Sequence, residues 1–105
     1  MDNFPEILNS RIPNYVQLGQ GFSSYARIED DMGIESVILE IEDVGKFVFE
    51  NTEHNLWESP EKIIINRRGE YEAELIVTDS RGQETIEEDT ITVEEFGGGG
   101  GCGCG

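Results

Sequence analysis

The chain has 105 residues, of which 23 are acidic and 7 basic, and its formal charge is −16. That length suits one domain with a single modest hydrophobic core. So negative a surface repels nucleic acid and anionic membranes, which we exclude as partners, and it favours cations and basic partners. The alternative is that the acidic residues only form a solvated surface and bind no particular partner. No apolar run is long enough to span a membrane, and the N-terminus lacks the basic and apolar regions of a signal peptide.

Short segments of alternating polarity predict β-strands along most of the chain. Residues 1–14, which have no sustained period, are expected to form an extended lead-in. The first predicted strands are Asn14–Gln17, Phe22–Ile28, Ile34–Ile41, Lys46–Phe49 and Lys62–Asn66. Gly33 ends an acidic turn in which a positive φ is expected. The stretch 51–61 is the least regular, and its residues Asn55–Glu58 allow a local helical turn.

The most regular stretch is Gly69–Gly82, which is followed by a last predicted strand at Thr85–Val93. Its apolar residues recur at every second position, the period of a strand with one buried face. Asp79 and Gly82 are turn formers that close it. Seven short strands, and no periodic segment of helix length, predict an all-β, two-sheet antiparallel sandwich over residues 15–95.

The inward-facing positions of these strands define the predicted core. Its members are Phe22, Ala26, Ile28, Val37, Leu39, Ile41, Ile63, Ile65, Tyr71, Ala73, Leu75, Val77, Ile91 and Val93.

The residues Gly69-Glu70-Tyr71 and Ala73–Gly82 resemble the last hairpin of polycystic-kidney-disease-type (PKD-type) and bacterial immunoglobulin-like domains. Leu18–Phe22 and Glu29–Val37 are similar to an earlier part of the same domains. The resemblance implies a seven-stranded immunoglobulin-like sandwich. A tyrosine at the position of Tyr71 can bury its ring and direct its hydroxyl back to the backbone.

One departure from the PKD-type pattern favours the broader immunoglobulin-like class. The W-D-F-G-D-G-type segment of PKD domains is absent, and Phe47–Asn51 stands in its region. The resemblance implies a non-catalytic spacer, adhesion or binding module whose partner is a protein or a carbohydrate. It favours an extracellular or cell-surface location, which the residues themselves do not indicate.

No residue pattern indicates catalysis, so we expect that the protein is not an enzyme. The single histidine, His54, has no nucleophile or orienting acid placed near it by a motif. Asp30 and Asp31 lie at a turn where oxygens could converge on calcium, with Asp79 and Glu87–Asp89 as further contributors. The alternative is that these residues form a solvated acidic turn that binds no metal ion. No other cofactor is expected.

Leu56 and Trp57 are predicted to lie in the loop between the fourth and fifth strands. Loops at the ends of sandwiches often carry binding residues, and exposed aromatic side chains anchor interfaces or stack on sugars. Both residues are therefore binding candidates. The alternative is a tryptophan that folds over the edge of the core.

The segment 96–105 contains five consecutive glycines and ends in Cys102-Gly103-Cys104-Gly105. Glycine at this density cannot bury surface, so a disordered tail is expected. Its two cysteines could coordinate a soft metal with a second chain, form a redox pair or cross-link the domain to a partner. The tail could instead be a substrate for modification of Cys102 and Cys104, because Gly-Cys pairs resemble the core of ribosomally made, modified peptides. It could equally be a linker without chemistry of its own.

Overall fold

The computed structural model describes residues 4–30, 33–59 and 61–95. Nine strands lie in that part of the chain: β1 (Glu6–Arg11), β2 (Tyr15–Gln17), β3 (Tyr25–Glu29), β4 (Ile34–Ile41), β5 (Gly45–Val48), β6 (Glu50–Glu53), β7 (Leu56–Glu58), β8 (Gly69–Asp79) and β9 (Glu84–Glu94). They form a four-stranded sheet in the order β1-β3-β7-β6 and a five-stranded sheet in the order β2-β9-β8-β4-β5. No helix within these residues is long and apolar enough to cross a membrane.

The predicted all-β, two-sheet architecture is confirmed, with nine strands instead of seven. Every pairing between strands is antiparallel except that of β2 with β9, which is parallel. The segment 1–14, expected to be a lead-in, contains β1, which pairs with β3 in the four-stranded sheet. Between β1 and β2 the chain passes Pro13, whose ring removes a backbone donor, and β2 then joins the other sheet.

The irregular stretch around residue 54 is a hairpin, and the local helical turn that the sequence allowed at Asn55–Glu58 does not form. β6 and β7 pair on either side of His54 and Asn55. The side-chain nitrogen of Asn51 donates to the carbonyl oxygens of Glu53 at 2.8 Å and Leu56 at 3.0 Å, which fastens the hairpin. Because β6 is exposed along its whole length, its sequence carries no alternation of polar and apolar residues.

The predicted strand Lys62–Asn66 is wrong as a strand, although its side-chain alternation is right. Ile63 and Ile65 are buried, and Ile64 is 50% exposed. Only Ile63 forms a β-bridge: its N–H donates to the carbonyl of Phe22 at 2.7 Å, and the reverse bond is 3.0 Å long. Gly19 donates to the carbonyl of Ile65. Isolated backbone hydrogen bonds therefore hold this segment in place, and it does not form a continuous ladder of β-sheet hydrogen bonds.

Buried side chains from both sheets form one core. Every predicted core member is buried except Phe22, which is partly buried and packs against the others. Val16 and Phe49 belong to the core as well, although the sequence pattern did not place them there.

Both ends of β8 are fixed by local hydrogen bonds. The Tyr71 hydroxyl donates to the carbonyl of Arg67 at 2.6 Å, which confirms the expected return to the backbone. At the other end, Oδ1 of the buried Asp79 accepts the N–H groups of Arg81 at 2.9 Å and Gln83 at 2.8 Å. Gly82 has φ 86°, a conformation that glycine adopts without strain. These contacts confirm the predicted hairpin turn.

Replacing Leu75 by alanine tests the core. Leu75 is fully buried, so Leu75→Ala should lower the free energy of unfolding by roughly 2–5 kcal/mol, through lost transfer energy and the cavity left behind. Chemical denaturation measures this change. Leu8→Ala is the matched control, because Leu8 is 44% exposed and the same truncation there should cost far less. A loss below about 1 kcal/mol for Leu75→Ala would contradict the register of β8.

Candidate functional site

The two predicted binding residues, Leu56 and Trp57, lie in β7 and not in a loop. Trp57 pairs with the buried Ala26, and its partly buried side chain packs against the core. Leu56 pairs with Arg27 on the outer face of the four-stranded sheet. Because consecutive side chains point to opposite faces of a strand, these two residues cannot form one binding surface.

Asp30, a predicted calcium ligand, lines a depression of about 320 Å³ together with Glu29, His54 and Trp57. Its predicted partner Asp31 lies outside the described residues, as do Cys102 and Cys104. Among the residues that are described, no group of three or more His, Cys, Asp or Glu side chains is placed to hold a metal ion.

The outer face of the five-stranded sheet presents a line of aliphatic side chains. Val48 pairs with Ile38, Ile38 pairs with Ile76, and Ile76 pairs with Ile86. We call these four residues the aliphatic row. At the two ends of the row, Val48 is 58% exposed and Ile86 is 49% exposed. Ile38 and Ile76, which lie between these ends, are partly buried. The row therefore forms a continuous apolar strip across β5, β4, β8 and β9.

Carboxylates lie on the outer face beside the aliphatic row. Two residues along each strand from the aliphatic row, Glu40 of β4 pairs with Lys46 of β5 on one side and with Glu74 of β8 on the other. Glu74 in turn pairs with Glu88 of β9. We call the three glutamates the acidic row. Opposed like charges repel one another, so this arrangement is destabilising in the isolated sheet. The sequence shows Ile38 and Ile76 at outward positions, but only the pairing between strands brings the row together.

A second group of acids faces inward at the edge of the sandwich, along β9. Glu87 accepts a hydrogen bond from the Ser10 hydroxyl of β1 at 2.6 Å, which links the two sheets. Asp89 lies beside the buried Ala73. Partial burial raises the pKa of the Asp89 carboxyl above its ordinary value, and the charge of Glu87 raises this pKa further.

Several solved structures are similar to this chain, among them the following three. It resembles latent PorU from Porphyromonas gingivalis with a TM-score of 0.66 and 16% identity over 87% of this chain and 10% of that one. It resembles CopC from Methylosinus trichosporium OB3b with a TM-score of 0.61 and 13% identity over 89% and 96% of the two chains. The third is a chimeric titin Z1Z2, with a TM-score of 0.56 and 13% identity over 88% and 97%. The chain spans about a tenth of the PorU chain.

No family model and no curated protein matches the sequence. At identities this low, the structural likenesses show the fold alone. Together with the order of strands in the two sheets, they define the domain as an immunoglobulin-like β-sandwich.

The inward acid at Asp89 predicts a pH-dependent stability. Its pKa is raised in the folded state, so its contribution to stability is present below the ordinary carboxyl pKa of about 3.9 and is lost as the pH rises through the folded value. Asp89→Asn should therefore raise the free energy of unfolding at pH 7, and this gain should shrink at pH 3.

Urea denaturation at both pH values measures this gain. Glu84→Gln is the control, because it removes one negative charge from the exposed face of the same strand at a position that pairs with Thr78 and not with another acid. Equal gains from both substitutions at pH 7 would show that net charge, and not the position of Asp89, is responsible.

Proposed function

We propose that this protein is a non-catalytic binding module whose partner is a protein with an aliphatic strip flanked by lysine or arginine. The observation that carries the proposal is the aliphatic row on the outer face of the five-stranded sheet. Single exposed aliphatic residues are ordinary on protein surfaces, whereas a contiguous patch bordered by polar groups is typical of interaction sites.

The row is well prepared for binding because a sheet holds it in place. β-branched side chains are stiff about χ1, and each of the four is seated on a strand that is hydrogen-bonded to its neighbours. Because these side chains are already ordered, docking a partner onto them costs little additional conformational entropy, and more of the interaction energy contributes to affinity. Burial of exposed Val48 and Ile86 supplies the apolar contribution.

The charges around the row favour a basic partner. Glu40, Glu74 and Glu88 border it on one side, and Glu84 lies on the other, beyond Ile86 on β9. Partner cations placed against these carboxylates would relieve the repulsion within the acidic row and would accelerate encounter. A second copy of the chain is a poor occupant, because its own charge of −16 would face this one.

The wider biological setting is part of the same proposal. The resemblance of Gly69–Gly82 to PKD-type and bacterial immunoglobulin-like domains supports an adhesion, spacer or binding role at a cell surface or in an exported chain. Calcium held by the acidic turn predicted at Asp30 and Asp31 would stiffen the domain without taking part in chemistry.

Selection from a displayed library of random peptides tests the binding face. Peptides enriched on the immobilised protein should combine aliphatic residues with lysine or arginine. Calorimetry with the best synthetic peptide should show that Ile76→Thr weakens binding about tenfold or more, because a large apolar contact is lost. Glu74→Lys should weaken binding as well, and added salt should reduce the association rate.

Ile64→Thr is the control, since it makes the same substitution at an isoleucine that is 50% exposed and lies away from the row. Peptides that bind the Ile76→Thr and wild-type proteins equally would overturn the assignment of this face. Sedimentation experiments test for self-association. If the wild-type protein is a dimer and Ile76→Thr dissociates it, the occupant of the aliphatic row is a second copy of the chain and not a basic partner.

A second candidate function rests on the sequence of the tail, in which Cys102 and Cys104 each follow a glycine. Here the folded domain would act as a carrier, and the cysteines would be modified or would attach to a metal or another chain. Intact mass of the protein from its native source tests this. Ring formation with oxidation would remove about 20 Da per cysteine, and a disulfide about 2 Da in total. The carrier function would be excluded by an unmodified mass together with partner binding that deletion of 97–105 does not change. The binding module would then be the remaining proposal.

A further inference from the structure

We propose a second ligand site on the opposite face of the sandwich, which binds a carboxylated sugar unit of an acidic polysaccharide. The site is an open groove of about 340 Å³ on the outer face of the four-stranded sheet. We call it the arginine groove, and its lining residues are Asn9, Ser10, Arg11, Tyr25, Arg27, Leu56 and Glu58. This proposal is independent of the protein-binding face above.

The register of three strands builds the groove from two adjacent lines of side chains. Arg11 pairs with Tyr25, and Tyr25 pairs with Glu58. In the neighbouring line, Asn9 pairs with Arg27, and Arg27 pairs with Leu56. Arg11 and Arg27 are therefore diagonal neighbours on β1 and β3, a separation that long side chains bridge.

Both guanidinium groups are available to a ligand. Arg11 and Arg27 are exposed, and neither forms an ion pair within the part of the chain that the structure describes. Arg27 makes one hydrogen bond, from Nη1 to Oδ1 of Asn55 at 3.3 Å, and so retains most of its donors. Guanidinium groups bind carboxylates through paired, charge-assisted hydrogen bonds. Two of them in one groove make an anion site on a chain that otherwise repels anions.

The remaining lining favours a sugar ring over a simple anion. Tyr25 is 37% exposed, and Leu56 lies next to it in the adjacent line, so the two offer an apolar surface against which the C–H face of a ring can pack. Asn9 supplies both donors and acceptors for ring hydroxyls. The groove volume lies at the lower end of the roughly 300–1,000 Å³ of small-ligand sites, which suits one or two sugar units.

Glu58 distinguishes a sugar acid from an acidic peptide. Its carboxylate lines the same groove and pairs with Glu50 on β6. A uronic acid unit brings one carboxylate for the arginines and several hydroxyl donors that a carboxylate can accept. The side chains of an acidic peptide offer carboxylates but no hydroxyl donors for Glu58, and those carboxylates would be repelled by Glu58 and Glu50. The chemistry of the groove therefore matches a ligand whose units carry hydroxyl groups beside the carboxylate.

Nuclear magnetic resonance titration of the whole chain tests the site, with tetrasaccharides of galacturonate, mannuronate and hyaluronan as probes. At least one should shift backbone amide signals of β1, β3 and β7 in a saturable way. Arg11→Gln and Arg27→Gln should each weaken that binding about tenfold, which corresponds to one lost charge-assisted contact. The fully methyl-esterified galacturonate tetramer, which has no charge, should bind far more weakly than its acid.

Lys46→Gln is the matched control, because it also removes one positive charge but lies on the five-stranded sheet, and it should leave the affinity unchanged. Melting temperatures of the variants show whether a loss is due to unfolding. The proposal is overturned if none of the three probes binds at concentrations up to about 10 mM, where even weak sites fill. It is overturned equally if a glutamate-rich peptide binds the groove more tightly than every sugar, or if Lys46→Gln weakens binding as much as Arg27→Gln.

Discussion

The antiparallel ladder of β4, β8 and β9 is the constraint on which the rest of the domain depends. β8 is hydrogen-bonded to β4 on one side and to β9 on the other. Its odd-numbered positions from Tyr71 to Asp79 are buried, and Leu75 and Val77 are fully buried in the core. A shift of one residue would turn these side chains to solvent and Ile76 to the core. Since full burial of one such side chain is worth about 1.5–3 kcal/mol, the core specifies the register strongly.

The same register also creates the outer surface. When Val37, Val77 and their neighbours on the inner face are aligned, Ile38 and Ile76 are necessarily aligned on the outer face. The local bonds of Tyr71 and Asp79 at the two ends of β8 support this alignment. Core stability and the geometry of the aliphatic row are therefore consequences of one set of backbone hydrogen bonds.

The two outer faces of the sandwich differ in their chemistry. The five-stranded sheet presents the aliphatic row with carboxylates beside it, whereas the four-stranded sheet presents the arginine groove. Because the faces point in opposite directions, ligands on them would not compete. If both proposed sites bind their ligands, the domain would connect a basic protein to an acidic polysaccharide.

The all-β fold class, most of the core and the hairpin turn that contains Gly82 could be predicted from the sequence alone, because period-two alternation and turn residues act locally. The sequence did not reveal β1, β6 or β7, whose residues are exposed or only partly buried and show no clear alternation. It placed Leu56 and Trp57 together in a loop, whereas β7 directs them to opposite faces. The sequence does not show which outward residues become neighbours, because strand pairing in the folded domain joins positions far apart in the chain, such as Val48 and Ile86.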